Sequence, residues 1–396
     1  MPQRRLIVLL GSIVAIGPLS IDTYLPAFPS MSRSLDASAS AVQLTLTACL
    51  AGLALGQLFA GPLSDRLGRR RPILVGLSAY VVASLFCALA PDVLTLTGLR
   101  FVQGFAGAAG LVIAQAVVRD MHSGAAAVRL FSSLMLIIGV APILAPVLGG
   151  QILELTSWRG IFVALAVIAA VVLLAVVLRL PETLPPERRD TRGIRGTLRT
   201  LRSLLGRRDF MGYAVASSLS FATVFAYVSG SSFVLQDIYG LSPQLYSVVF
   251  GFNGIGLIIS SRINSRIAGR IDSELILRRA MLATATASLV LLAIIVSGGL
   301  GAWAVMVPLF VIVSSFAFAL PNATALALAD HPEVAGAASA LLGLIQFMSG
   351  AVVAPLVGIA GTDTALPMAL VMSALGVAGV AVTRILLPRR VAVSAA

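Results

Sequence analysis

Lysine is absent from this chain of 396 residues; all 28 basic side chains are arginine. A phosphate-binding P-loop needs its lysine and so does a pyridoxal Schiff base, so ATP-driven pumping by this chain alone is not expected. Only two cysteines and two histidines occur. Cys49 and Cys87 fall inside apolar runs, and His122 stands far from His331. Neither a disulfide framework nor a metal-ligand cluster is therefore expected, and no cofactor is implied. Charge is scarce too: 11% of the residues are charged, against about 25% in a soluble domain.

What fills the chain is hydrocarbon, since 58% of the residues are hydrophobic. A helix needs roughly 20 apolar residues to cross a bilayer core. The sequence divides into twelve such runs, near 6 to 28, 41 to 63, 73 to 90, 93 to 117, 131 to 151, 158 to 180, 210 to 235, 243 to 262, 276 to 298, 302 to 328, 334 to 361 and 364 to 387. The first run follows Arg4 and Arg5 but is long and leads into eleven more, so it reads as a retained helix rather than a signal peptide. The expectation is an all-α integral membrane protein with twelve spans.

With the N-terminus inside, Arg4, Arg5, Arg66, Arg69, Arg70, Arg71, Arg119, Arg129, the linker arginines, those from Arg262 to Arg279 and the C-terminal ones share one face. Arg33 and Arg159 fall on the other, and Arg100 lies within a span. By the positive-inside rule both termini are cytoplasmic. The net charge of +12 then reflects topology and anionic membrane lipid, with no nucleic-acid partner required.

The longest polar stretch separates six spans from six. The expected organisation is an N-terminal bundle over 1–183, a cytoplasmic linker over 184–208 and a C-terminal bundle over 209–396. Leu198, Leu201, Leu204 and Leu205 sit at helical spacing in the linker, which suggests an amphipathic helix on the inner leaflet. Ser64-Asp65-Arg66-Leu67-Gly68-Arg69 weakly echoes Ser265-Arg266-Ile267-Ala268-Gly269-Arg270. Two related halves with a site between them near the midplane is a transporter arrangement.

Asp22 and Arg100 are the ionisable residues most clearly inside spans, where an unpaired charge costs at least about 2.5 to 3.5 kcal/mol on insertion scales. Both lie roughly 9 to 11 Å below the same surface at 1.5 Å per residue, so a pair is geometrically possible, and it could load and unload one proton. A structural ion pair is the alternative. Pro26 has no amide hydrogen for the Asp22 carbonyl, so the first helix must break or bend there. Pro142, Pro146, Gly149 and Gly150 in the fifth run suggest a pliable hinge with close helix contact. On the basic face, Arg119 and Asp120 could meet the loop between spans two and three, so that Arg69 pairs with Asp120. Asp65 could face the N-terminus of the eleventh helix. Such contacts would latch the halves together and release in each cycle, because exposed pairs are individually weak. Candidate cavity residues are Tyr24, Gln43, Gln103, Gln115, Phe221, Phe225, Tyr227, Asn253, Asn322 and Gln346, with helix packing the alternative for each.

Six segments carry a resemblance. Gly61-Pro62-Leu63-Ser64-Asp65-Arg66-Leu67-Gly68-Arg69-Arg70 resembles the loop between helices two and three of the major facilitator superfamily. Ser20-Ile21-Asp22-Thr23-Tyr24-Leu25-Pro26 resembles the first-helix signature of its bicyclomycin-resistance and chloramphenicol/florfenicol efflux branch. Arg100-Phe101-Val102-Gln103-Gly104 and the proline-glycine pattern of the fifth run resemble the proton-linked and antiporter motifs. Leu180-Pro181-Glu182-Thr183 and Pro321-Asn322-Ala323-Thr324 are also similar to that branch.

The resemblance implies two six-helix bundles of the major facilitator fold, working by alternating access as a proton-coupled antiporter. It also implies residence in a bacterial inner membrane as a monomer, with a small lipophilic drug, protons and membrane lipid as its partners. By that likeness Asp22 takes the proton, Arg100 modulates it, and Asp65, Arg69 and Asp120 form the latch. Val14 stands where some relatives carry a second acid, and Ala141 and Ala145 where the antiporter motif often has glycine. A proton-coupled metabolite transporter, for a sugar for example, would use the same fold. A membrane-embedded enzyme is the more distant alternative, but neither the clustered aspartates nor the histidine ligands it would need are evident.

Overall fold

The computed structural model describes residues 3–122, 124–189, 201–298, 301–330, 335–359 and 364–386. Helices dominate them because hydrocarbon offers no water to a bare amide, so each apolar run must satisfy its backbone internally. In the first half these are α1 (Gln3–Asp22), α2 (Ala39–Leu67), α3 (Arg70–Leu89), α4 (Val93–Met121), α5 (Gly124–Leu155) and α6 (Trp158–Arg179). The second half holds α7 (Arg208–Phe233), α8 (Pro243–Ile267), α9 (Ser273–Ser297), α10 (Ala302–Ala329), α11 (Ala335–Leu356) and α12 (Leu366–Ile385). Among the described residues, eleven helical segments are long and apolar enough to cross a membrane. The 32-residue α5 completes twelve spans in two bundles of six.

Several helices outrun their apolar segments. α2 continues to Leu67 and α4 to Met121, because a helix needs no hydrocarbon to go on closing its own hydrogen bonds. Among the described residues, four starts are capped by a side chain that accepts a backbone N–H of the first turn, at Ser38, Asp92, Ser242 and Asp272. α2 and α4 meet at backbone distance: a Cβ on Gly104 would collide with the Cys49 carbonyl, and one on Gly56 would lie 2.5 Å from the Phe105 oxygen.

The face bearing Arg69 to Arg71 is called the basic face here. Toward the opposite face one apolar cluster, including Phe28, Leu50, Phe233 and Ala354, spans both halves. Polar contacts seal it: Ser40 donates to the Pro355 carbonyl at 3.1 Å, Thr47 to Ala351 at 2.8 Å and Ser232 to Leu25 at 2.6 Å. Arg33 and Asp237 form an ion pair of 3.5 Å, the acid held on a π turn, Val234–Ile238, that ends the seventh span. Toward the basic face the core divides. Leu10, Ile13 and Val117 belong to a cluster of the first half, while Phe210, Leu277 and Leu341 belong to one of the second, which Leu58 of α2 touches.

Leu201 and Leu204 of the linker are buried in that second-half cluster, and Leu205 is exposed. This part of the linker therefore packs on the protein rather than presenting all its leucines to lipid. Leu198 lies outside the described residues.

Candidate functional site

α1 stops at Asp22, and Leu25–Ala27 forms a single 3-10 turn before a short helix, Phe28–Ser34. The break falls where Pro26 withholds its amide. Pro18 lies inside α1 and does not interrupt it. α5 runs continuously past Pro142 and Pro146. Its two glycines meet different neighbours. A Cβ on Gly149 would strike the Thr23 carbonyl in the α1 break, whereas one on Gly150 would lie 2.7 Å from Ser247 Oγ of the other half. α5 is thus wedged between the break and α8.

Arg100 is fully buried, but Asp22 is not its partner, contrary to the pairing that equal depth allowed. Its Nη2 donates to the Ser20 carbonyl at 2.8 Å and its Nη1 to Gln103 Oε1. The guanidinium carbon lies 4.2 Å over the Tyr24 ring and 5.5 Å from that of Phe162. Gln103 donates in turn to Ser84 Oγ at 2.7 Å, and Ser20 Oγ meets Tyr80 OH at 2.5 Å. Tyr24 and Gln103 therefore serve the arginine rather than an open cavity. Equal depth does not fix azimuth: Asp22 is still on α1, where two residues turn the helix by about 200° from Ser20.

Asp22 is 6% exposed and has no hydrogen-bond or ion-pair partner among the described residues. It lies within electrostatic reach of Tyr227 and Tyr246 of the second half. Asn253 donates to Tyr227 OH at 2.8 Å, and Tyr246 OH meets Ser231 Oγ at 3.2 Å. Phe250 stacks on Tyr227 with centroids 5.4 Å apart.

A second aromatic group stands nearby in chain order. Phe221 stacks on Phe225 at 4.5 Å and meets Phe347 edge-on at 5.3 Å. Gln346 donates to Ser217 Oγ at 3.2 Å, tying α11 to α7. Gln43 donates to the Ser229 carbonyl at 3.0 Å across the halves and lines a small cavity with Phe233, Val357 and Met368. Asn322 donates to Asn264 Oδ1 at 2.8 Å and joins α10 to α8. Gln115 is half-buried on α4.

At the basic face Arg69 Nε donates to Asp120 Oδ2 at 2.7 Å, and its Nη1 reaches Asp65 Oδ1 and Ser64 Oγ. Burial opposes the Arg69 charge, but the hydrogen-bonded Asp120 and Asp65 carboxylates outweigh it and hold the guanidinium above its ordinary range. Arg119 is exposed and stands apart from this cluster. All these partners lie in the first half, so the network ties α2, α3, α4 and the end of α6 together rather than half to half. The expected approach of Asp65 to the start of the eleventh helix concerns residues 331–334, outside the described residues.

Glu182 completes the network. Its Oε1 accepts the Arg69 amide at 2.7 Å and those of Thr183 and Leu184 at 3.0 Å, while Oε2 accepts the Arg70 amide at 3.2 Å. Gly68, at φ 91°, makes the turn that presents these amides, and a Cβ there would collide with the carboxylate. Sequence reasoning missed Glu182, Ser20, Tyr80 and Tyr246 as site residues. Glu182 stands in the Leu180-Pro181-Glu182-Thr183 segment, and the other three are polar residues in apolar runs, the signal that found their neighbours.

A family model described as Major Facilitator Superfamily matches residues 10–355. The chain belongs to the major facilitator superfamily. A relative in Bacillus subtilis (strain 168), described as an uncharacterized MFS-type transporter, is 45% identical over 374 residues, covering 94% of this chain and 92% of that one. The bicyclomycin resistance protein homolog of Haemophilus influenzae is 34% identical over 370 residues, covering 93% and 92%. A solved nucleoside transporter superposes with a TM-score of 0.79 at 12% identity over 98% of this chain and all of that one, a likeness of fold alone. The sequence resemblance to the bicyclomycin-resistance branch and the twelve-helix fold are thereby borne out, and the membrane-enzyme alternative gives way to a transporter.

Proposed function

We propose that this superfamily member exports small lipophilic drugs across a bacterial inner membrane in exchange for protons, by alternating access, with its basic face and both termini in the cytoplasm. One observation carries the coupling: Asp22 is a buried carboxyl without a partner among the described residues, placed where α1 breaks. An ionised carboxylate there demands water or a cation, whereas a protonated one can be closed into an apolar space. Proton loss then favours an open cavity and proton gain a closed one. A lipophilic drug against Tyr227, Phe221 and Phe225 uses the same space. The similarity to a bicyclomycin resistance homolog supports a drug as the cargo, and the apolar lining sets its size and polarity rather than its identity.

The test is efflux of chloramphenicol-like and other lipophilic antibiotics from inverted vesicles or cells under an imposed pH gradient, wild type against Asp22→Asn. Export that follows the gradient in wild type and vanishes in the inserted, folded variant is the expected result. Undiminished export by the variant would move the proton to another acid. Export of no drug by wild type would favour a metabolite as cargo.

A further inference from the structure

Two surface grooves of the second half share a wall. One, of about 530 Å³, runs between α9 and α10 and is lined by Arg279, Leu282, Val290, Val307 and Val311 among others. The other, of about 200 Å³, lies between α9 and α12 and is lined by Arg279, Leu282, Val380, Thr383 and Arg384. Arg279 and Leu282 belong to both. At the upper end the lining is cationic, and below it is hydrocarbon.

The cations differ in availability. Arg278, the third arginine here, donates through Nε and Nη2 to Glu274 Oε1 at 2.9 and 2.5 Å, which neutralises it locally. Arg279 and Arg384 are exposed and have no ion-pair partner among the described residues. From Arg279 to Val290 is eleven residues of helix, roughly 16 Å at 1.5 Å each. That depth matches one leaflet of a hydrocarbon core of about 30 Å. A ligand fitting both features carries a phosphate at the level of the arginines and a chain reaching toward the midplane.

We propose that Arg279 and Arg384 seat the phosphate of an anionic phospholipid whose acyl chain lies in the groove between α9 and α10. The site is separate from the Asp22 region and independent of the cargo. A phosphate headgroup is attracted by both arginines, and basic pockets between spanning helices on the cytoplasmic side are where such headgroups bind.

The experiment titrates purified full-length protein in neutral detergent with phosphatidylglycerol, with phosphatidylcholine of the same chains and with inorganic phosphate, reading bound lipid by native mass spectrometry. Wild type should retain phosphatidylglycerol in preference to phosphatidylcholine, and phosphate should not displace it. The Arg279→Gln/Arg384→Gln variant should bind phosphatidylglycerol roughly thirtyfold more weakly. Val307→Trp, which fills the groove and leaves the charges, should weaken it too. Unchanged binding by the double variant, equal retention of phosphatidylcholine, or displacement by inorganic phosphate would each overturn the proposal, the last by making the site one for free anions. If the double variant fails to fold, Arg279→Lys and Val307→Trp decide: retained binding in the first and loss in the second support the site, and any other pairing overturns it.

Discussion

The guanidinium of Arg100 lies 4.2 Å over the ring of Tyr24, two residues beyond the acid to which its depth had suggested a pairing. The buried cation is held by a ring, the Ser20 carbonyl and the Gln103 amide oxygen. Asp22 is left without a hydrogen-bond or ion-pair partner among the described residues. The two intramembrane charges have separate surroundings, so they can be perturbed separately.

Tyr24→Leu should lower stability by about 2 kcal/mol, the scale of a desolvated cation–π contact. Tyr24→Phe keeps the ring face and should fall within about 0.5 kcal/mol of wild type. Thermal unfolding in detergent, read for both variants, checks the contrast. Equal loss in the two would shift the weight to the hydroxyl.

Arg100→Lys should not rescue Arg100→Ala in transport. The planar fork reaches the Ser20 carbonyl and Gln103 at once while stacking on Tyr24, which a point-charge ammonium cannot do. Gradient-driven efflux by the lysine variant at wild-type rate would mean that charge alone suffices.

Arg69 and Asp120 should show a coupling of about 1 to 2 kcal/mol in a double-mutant cycle with Arg69→Ala and Asp120→Asn. Their side chains are 8% and 16% exposed, well below the surface pairs that contribute almost nothing. Chemical unfolding of the four proteins measures it, and a coupling near zero would mean that the pair does not hold this corner of the first half together.

Glu182 predicts the acid behaviour of the same corner. Its burial opposes ionisation, but amides of Leu184, Arg69, Arg70 and Thr183 outweigh that, so the folded carboxyl titrates below its ordinary value of 4.5. A depressed folded pKa stabilises the fold in full above the unfolded value and ceases to do so as pH falls through the folded one. Wild type should therefore lose stability below about pH 4.5. Glu182→Gln should be less stable than wild type at neutral pH, with the difference narrowing in acid. A gap independent of pH would exclude the carboxylate charge as its cause.

Gly149→Val should destabilise the protein by about 1 to 3 kcal/mol, the range for overpacking. Its Cβ meets the Thr23 carbonyl, a backbone atom fixed by the α1 break, so neighbouring side chains cannot relieve the clash. Thermal unfolding checks this, and an unchanged midpoint would show that the break can shift.

The sequence by itself determined the spans, the family, the break beside Asp22 and the partnership of Arg69 with Asp120. These rest on local facts: the length of apolar runs, the missing amide of Pro26, and a charged turn with Asp120 at the end of a helix of known length. Only the tertiary structure decided which partners each buried polar group takes. Arg100 turned from Asp22 to Tyr24 and Ser20, Gln43 closed onto Ser229, and Glu182 folded back 113 residues to cap the Arg69 amide. The physical reason is that depth along a helix follows from counting residues, whereas the azimuth of a side chain and the element opposite it depend on how helices far apart in sequence pack.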